Sequence, residues 1–233
     1  MPKSAKISFV LADAQVQHPI TKFGGQPAWV DAPTWPVDDE FGEQMIFVAQ
    51  FALTPEIFPC SKESVVYLFV AASEPVTTDT ATCIVQSTHV AIPVTCKTTP
   101  ELTGPSVITL SDEVEERLEY VVSLQTVDEP IVPLADRFTK SELSLKDGYQ
   151  FRHTALAGCK LAGQPIYVEQ QQAPEYFRNP DWVHICQLAP DHGYFTQFQP
   201  NFYPFVLELG EYGLLNVFIN TDGTRAVAYV QSL

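Results

Sequence analysis

The sequence predicts an α+β protein that is mainly β, built as two related lobes of antiparallel sheet with short helices. Three observations carry this. A nine-residue stretch, Lys22-Phe23-Gly24-Gly25-Gln26-Pro27-Ala28-Trp29-Val30, returns 138 residues later as Lys160-Leu161-Ala162-Gly163-Gln164-Pro165-Ile166-Tyr167-Val168. Each copy is followed by an apolar segment carrying one Gln near its end, residues 45–51 with Gln50 and residues 182–188 with Gln187. Finally, 19 Pro and 15 Phe in 233 residues favour strands and turns over long helices.

The elements follow in order. Residues 7–11 read as a first strand, broken by Gln17-His18-Pro19. In the repeated turn, Gly25 and Gly163 permit φ > 0 or close backbone approach, and Pro fixes its own φ. The aromatic that follows, Trp29 or Tyr167, is aimed at a core. Residues 31–43 form a polar loop that holds Asp31, Asp38, Asp39, Glu40 and Glu43 with no Lys or Arg. Residues 45–51 and 65–71 are buried strands, and between them Thr54-Pro55 opens one helical turn. Residues 73–110 alternate β-branched runs with Pro, as short strands and turns do. The block 111–119 reads two ways: Ser111 can cap a helix whose early acids suit its dipole, whereas residues 120–127 have the composition of a strand.

A short helix over residues 136–148 would join the halves, so the expected lobes are 1–139 and 140–233. In the second lobe, residues 174–178 read as a helical turn, and residues 182–188 and 204–209 as strands. The clearest hairpin joins residues 217–220 to 226–231 through Asp222-Gly223. The third matching segment, 65–70 against 213–219, has an offset of about 149, so the second lobe gains a loop around residues 191–203.

These residues resemble a known family, the YwqG-like proteins of the DUF1963 domain. The resemblance rests on Gly24-Gly25-Gln26-Pro27, Trp35-Pro36, Phe47-Val48-Ala49-Gln50-Phe51 and Tyr67-Leu68-Phe69 in the first half. In the second half it rests on Gly163-Gln164-Pro165, Cys186-Gln187-Leu188, residues 213–219 and Tyr229-Val230-Gln231-Ser232. It implies a mainly β, internally repeated α+β fold in a bacterial cytosolic protein. Some members are similar to immunity proteins that neutralise a partner toxin. It also implies that Trp35 is packed. Ala162 departs from the pattern where the first copy has Gly24, which suggests a somewhat different turn there.

Charge narrows the function. The net charge is −15, with 7 basic and 19 acidic residues up to position 139 against 6 and 9 from 140 onward. No basic run exists, so nucleic acid and anionic membrane surfaces would be repelled. A basic protein partner would be attracted and steered. The plain alternative is that the acidity serves solubility. Five cysteines, Cys60, Cys83, Cys96, Cys159 and Cys186, form no C-x-x-C pair and fit a reduced cytoplasmic protein. No stretch reads as a signal peptide or reaches transmembrane length.

Catalytic constellations are weak. His184 and Cys186, two apart on a strand, would share a face and form a base and nucleophile; simple packing is the plainer reading, since the first copy has Phe47 and Ala49 there. Asp191, His192, His184 and His153 have no metal-site spacing, so no metal or cofactor is expected. Gly24-Gly25 lacks the Gly-Lys-Ser/Thr of a P-loop.

The preferred expectation is therefore an immunity-type binding protein, without chemistry of its own, that covers a basic partner, and that is a monomer when free. Its expected contact residues are Asp31, Asp38, Asp39, Glu40 and Glu43, with Asp112, Glu113, Glu115 and Glu116 second. The alternative is a small-molecule binder or enzyme using a cleft between the lobes, with Trp29, Gln50, Tyr167 and Gln187 near it. Gln50 and Gln187 also have a structural reading, as buried amides bonded to the backbone of the repeated turns. Self-association through an exposed strand edge is the third possibility.

Overall fold

The structure, a computed structural model, describes residues 2–59, 63–72, 75–87, 103–111, 114–137, 156, 158–168, 175–189, 202–210 and 213–232. Thirteen strands are described. They are β1 (Lys3–Leu11), β2 (Lys22–Gly24), β3 (Ile46–Ala52), β4 (Ser64–Val70), β5 (Ala81–Ser87), β6 (Thr109–Ser111) and β7 (Val114–Glu116). They continue with β8 (Glu119–Asp128), β9 (Lys160–Ala162), β10 (Trp182–Leu188), β11 (Phe202–Tyr203), β12 (Leu214–Asn220) and β13 (Ala226–Gln231). The one described α-helix, α1, is the turn Glu175–Arg178. A 3-10 turn covers Leu134–Asp136 and ends at Arg137, and residues 138–148 of the expected joining helix lie outside the described residues.

Ten strands form one antiparallel sheet in the order β13-β12-β10-β9-β1-β8-β2-β3-β4-β5. The long pair β1–β8, running from Lys3 opposite Asp128 to Leu11 opposite Tyr120, sits at its centre. To one side lie β2, β3, β4 and β5; to the other lie β9, β10, β12 and β13. The sheet curls so that its two edge strands meet. The Thr78 hydroxyl donates to the Val230 carbonyl and accepts from the Val230 N–H, so a side chain bridges the edges. A second, three-stranded sheet has the order β11-β6-β7. The ambiguous block 111–119 is thus no helix where it is described: β6 and β7 pair, Arg117 and Leu118 are irregular, and Glu119 opens β8.

Inside the curl lies the main core, with Ile7, Phe23, Phe51, Leu68, Leu161, Ile185, Phe205 and Val217 among its members. Outside it, each half of the sheet is covered by its own copy of the repeated turn. Trp29 and Ala28 pack on Phe47, Tyr67 and Phe69; Ile166 and Val168 pack on Leu214, Val132 and Ala189. Strands buried on both faces explain why β4 reads as an unbroken apolar run rather than an alternation.

The two halves share several features. Both β3–β4 and β10–β12 carry a register shift at the same place, between Phe47 and Ala49 and between His184 and Cys186. One extra residue there, a β-bulge, turns the following side chains to the opposite face. Gly24, Gly25, Ala162 and Gly163 all have positive φ, so Ala162 adopts the same turn as Gly24 despite its Cβ.

Candidate functional site

The acidic loop is a small ordered hairpin. Val37 bridges Gln44, the Asp38 N–H donates to the Glu43 carbonyl, and the Gly42 N–H donates to the Asp38 carbonyl. The Asp38 carboxylate accepts the N–H groups of Glu40 and Phe41 at 2.9 and 2.8 Å, which closes the tip. At the base the Met45 N–H donates to the Pro36 carbonyl, and the Trp35 indole N–H donates to the Met45 carbonyl at 2.7 Å. Trp35 packs edge-on against Trp29 and Phe69, and its ring occupies the space that a side chain at Gly104 would need. It anchors the hairpin to the first lobe.

What the hairpin presents is an aromatic among acids. Phe41 is 63% exposed and Val37 is 51% exposed. Asp39, Glu40 and Glu43 are exposed beside them, and among the described residues none of the three forms an ion pair. Asp38 is half-buried and committed to the turn, while exposed Asp31 caps the Ala32 N–H. Glu115 and Glu116 are exposed on β7; Asp112 and Glu113 lie outside the described residues. Sequence reasoning passed over Phe41. The signal available was an apolar residue in an acidic run with no apolar neighbour to pack on.

Trp29, Gln50, Tyr167 and Gln187 are buried on the outer face of the sheet, in two separate clusters. The Gln50 amide accepts from the Ala28 N–H and donates to the carbonyls of His18 and Ile20. Gln187 repeats this, accepting from the Ile166 N–H and donating to Leu156 and Gly158. Each amide clips its repeated turn to its strand. Tyr67 then donates to the Ala28 carbonyl where Asn216 donates to that of Ile166. Gln86 accepts from Val30 where Gln231 accepts from Val168. Tyr167 donates to the Leu134 carbonyl at 2.8 Å.

Two buried lysines lie beneath these turns. Lys22 bonds the Gln26 carbonyl and the Glu119 carboxylate; Lys160 bonds the Gln164 carbonyl and the Glu129 carboxylate at 2.7 and 2.6 Å. Burial, the largest single influence, would push the Glu129 carboxyl up. The Lys160 charge and the hydrogen bonds from Lys160, the Gln164 N–H and Ser4 together outweigh it, so the group stays below its ordinary value. Burial lowers Lys160, opposed by Glu129. A Cβ on Gly25 would stand 2.6 Å from the Glu119 carboxyl, and one on Gly163 2.6 Å from that of Glu129. The repeated glycine therefore serves close approach as well as positive φ.

His184 and Cys186 do not form a pair. The bulge between them turns Cys186 into the inner core and His184 outward onto Phe218, 5.4 Å between ring centroids. The His184 Nδ1 lies 3.1 Å from the Ala162 carbonyl, which can only accept, so Nδ1 carries the proton and Nε2 is left unpartnered. Burial, then the Lys160 charge, push this imidazole down to about 4. Burial also raises Cys83 and Cys159 to about 12 and Cys186 well above its usual value, which leaves no reactive thiolate among them at neutral pH. Among the described residues no group of three metal-ligating side chains forms; His153, Asp191 and His192 lie outside them.

The profile of the family described as a domain of unknown function, DUF1963, matches residues 21–231. The chain belongs to this family. No curated protein matches it. The DUF1963 match begins one residue before Lys22 and ends at Gln231, so it encloses Lys22 and Gln50 as well as Lys160, Gln187 and Gln231. Among the described residues no helix is long and apolar enough to cross a membrane.

Proposed function

We propose that this DUF1963 protein is an immunity-type binding protein, cytoplasmic and monomeric when free, that neutralises a basic protein partner by covering it. The observation that carries the reading is the hairpin tip, an exposed Phe41 in a segment whose exposed Asp39, Glu40 and Glu43 form no ion pair among the described residues. An aromatic anchor surrounded by like charge suits a basic surface: the ring is buried on contact, and the acids steer the approach. The hairpin is held by its own hydrogen bonds and by Trp35, so little order remains to be imposed on binding. The excess of acid in the first lobe points the same way.

Two variants test the reading in a binding assay against the captured partner. Phe41→Ala should weaken binding by about 2 kcal/mol, roughly thirtyfold. Asp39→Lys with Glu40→Lys should slow association and flatten its salt dependence. Asp38 is left alone because it builds the turn. A partner bound equally well by both variants would refute the hairpin as the contact.

A further inference from the structure

A recess opens at one end of the curled sheet, between segments of the two halves. Ile46, Val70, Val76 and Val107 wall it from the first half, and Val206 and Leu207 from the second. Val70, Val76, Val107 and Leu207 belong to the main core, so the recess reaches the interior of the curl. Its volume is about 140 Å³. Backbone bonds from Val76 to the Glu208 carbonyl and from Val206 to the Ile108 carbonyl hold its walls together. The polar residues that line it are Ser106, Arg117 and Glu208. Arg117 and Glu208 are exposed, and among the described residues neither makes an ion pair, with the other or with a third group.

We propose that this recess binds a free α-amino acid with a branched aliphatic side chain. The volume of about 140 Å³ is close to that of a cavity on the order of 150 Å³ that takes benzene, which is room for a four-carbon side chain. Of the lining residues, Arg117 brings a guanidinium that matches an α-carboxylate, and Glu208 a carboxylate that matches an α-ammonium. A ligand of one charge would leave one of these groups facing a like charge or nothing. The mouth of a small β-barrel, with apolar walls and few polar groups, is a common place for such a site. The site is separate from the acidic hairpin and stands or falls without it.

The test is titration of the full chain with leucine, followed by amide chemical shifts and calorimetry. The comparison ligands are 4-methylpentanoate, 3-methylbutylamine and glycine. Saturable leucine binding is expected, with shifts at Val70, Val76, Val107 and Leu207, and about tenfold or more weaker binding of each comparison ligand. Arg117→Gln should weaken leucine and 4-methylpentanoate but spare the amine; Glu208→Gln should weaken leucine and the amine but spare the acid. Both are exposed rim positions, and equal thermal midpoints would certify the fold. Absence of saturable leucine binding would overturn the proposal. So would leucine binding indifferent to both substitutions, or an acid that binds as tightly as leucine.

Discussion

His184 stands on β10 where β3 has Phe47, and each lies near a buried lysine. Lys22 Nζ lies 5.6 Å from the Phe47 ring centroid. The histidine is neutral in the fold, with a pKa of about 4 against an ordinary 6.5. A group held low in the folded state contributes fully above its ordinary pKa, and that contribution is lost as pH falls toward the folded value. Stability should therefore fall between pH 6.5 and 4, by about 3 kcal/mol. His184→Phe should flatten that slope in urea unfolding at several pH values. The Glu129 carboxyl, also held low, adds a second loss below the ordinary carboxyl range. Lys160→Met would strand a buried carboxylate and cost about 3–5 kcal/mol; adding Glu129→Gln should recover part of it. Neither lysine was legible as a buried cation. Each is identical in the two copies, which was the available signal, but the partner carboxylates lie 97 and 31 residues away, at no repeated spacing.

At the scale of elements, turn and strand depend on one another. Gln50→Ala or Gln187→Ala would orphan one buried N–H and two carbonyls, and each should cost about 3 kcal/mol or more in denaturant unfolding. The glycines separate backbone strain from crowding. Gly42 has φ +71° and open space around it, so Gly42→Ala should cost about 1 kcal/mol. Gly25 has nearly the same φ but faces the Glu119 side chain, so Gly25→Ala should cost several times more. Most of the strands were legible, residues 182–188 to the residue, because apolar runs between Pro and Gly signals have few other readings. The strand expected at 204–209 was not found: those residues are irregular, and β11 covers Phe202–Tyr203 just before them. The bulge was not, because an extra residue shows only against its partner strand. Spacing alone put His184 and Cys186 on one face, and the bulge separates them.

For the whole molecule, the recurring turn predicted two lobes but not how the strands that carry its two occurrences are arranged. They meet in one continuous sheet, because β1 pairs with both β8 and β9 and so joins them edge to edge. Strand order depends on such long-range pairing, which local pattern does not encode. The uneven charge was legible directly from composition, and its geometry is the hairpin around Phe41. The central claim, that this hairpin holds a basic partner, is tested most directly by capture. Tagged protein would be incubated with an extract of the cells that make it, washed at rising salt, and compared with a variant carrying Phe41→Ala, Asp39→Lys and Glu40→Lys. One basic protein, released by salt from the parent and absent from the variant, is the predicted result. The same proteins on both, or none on either, would contradict the claim.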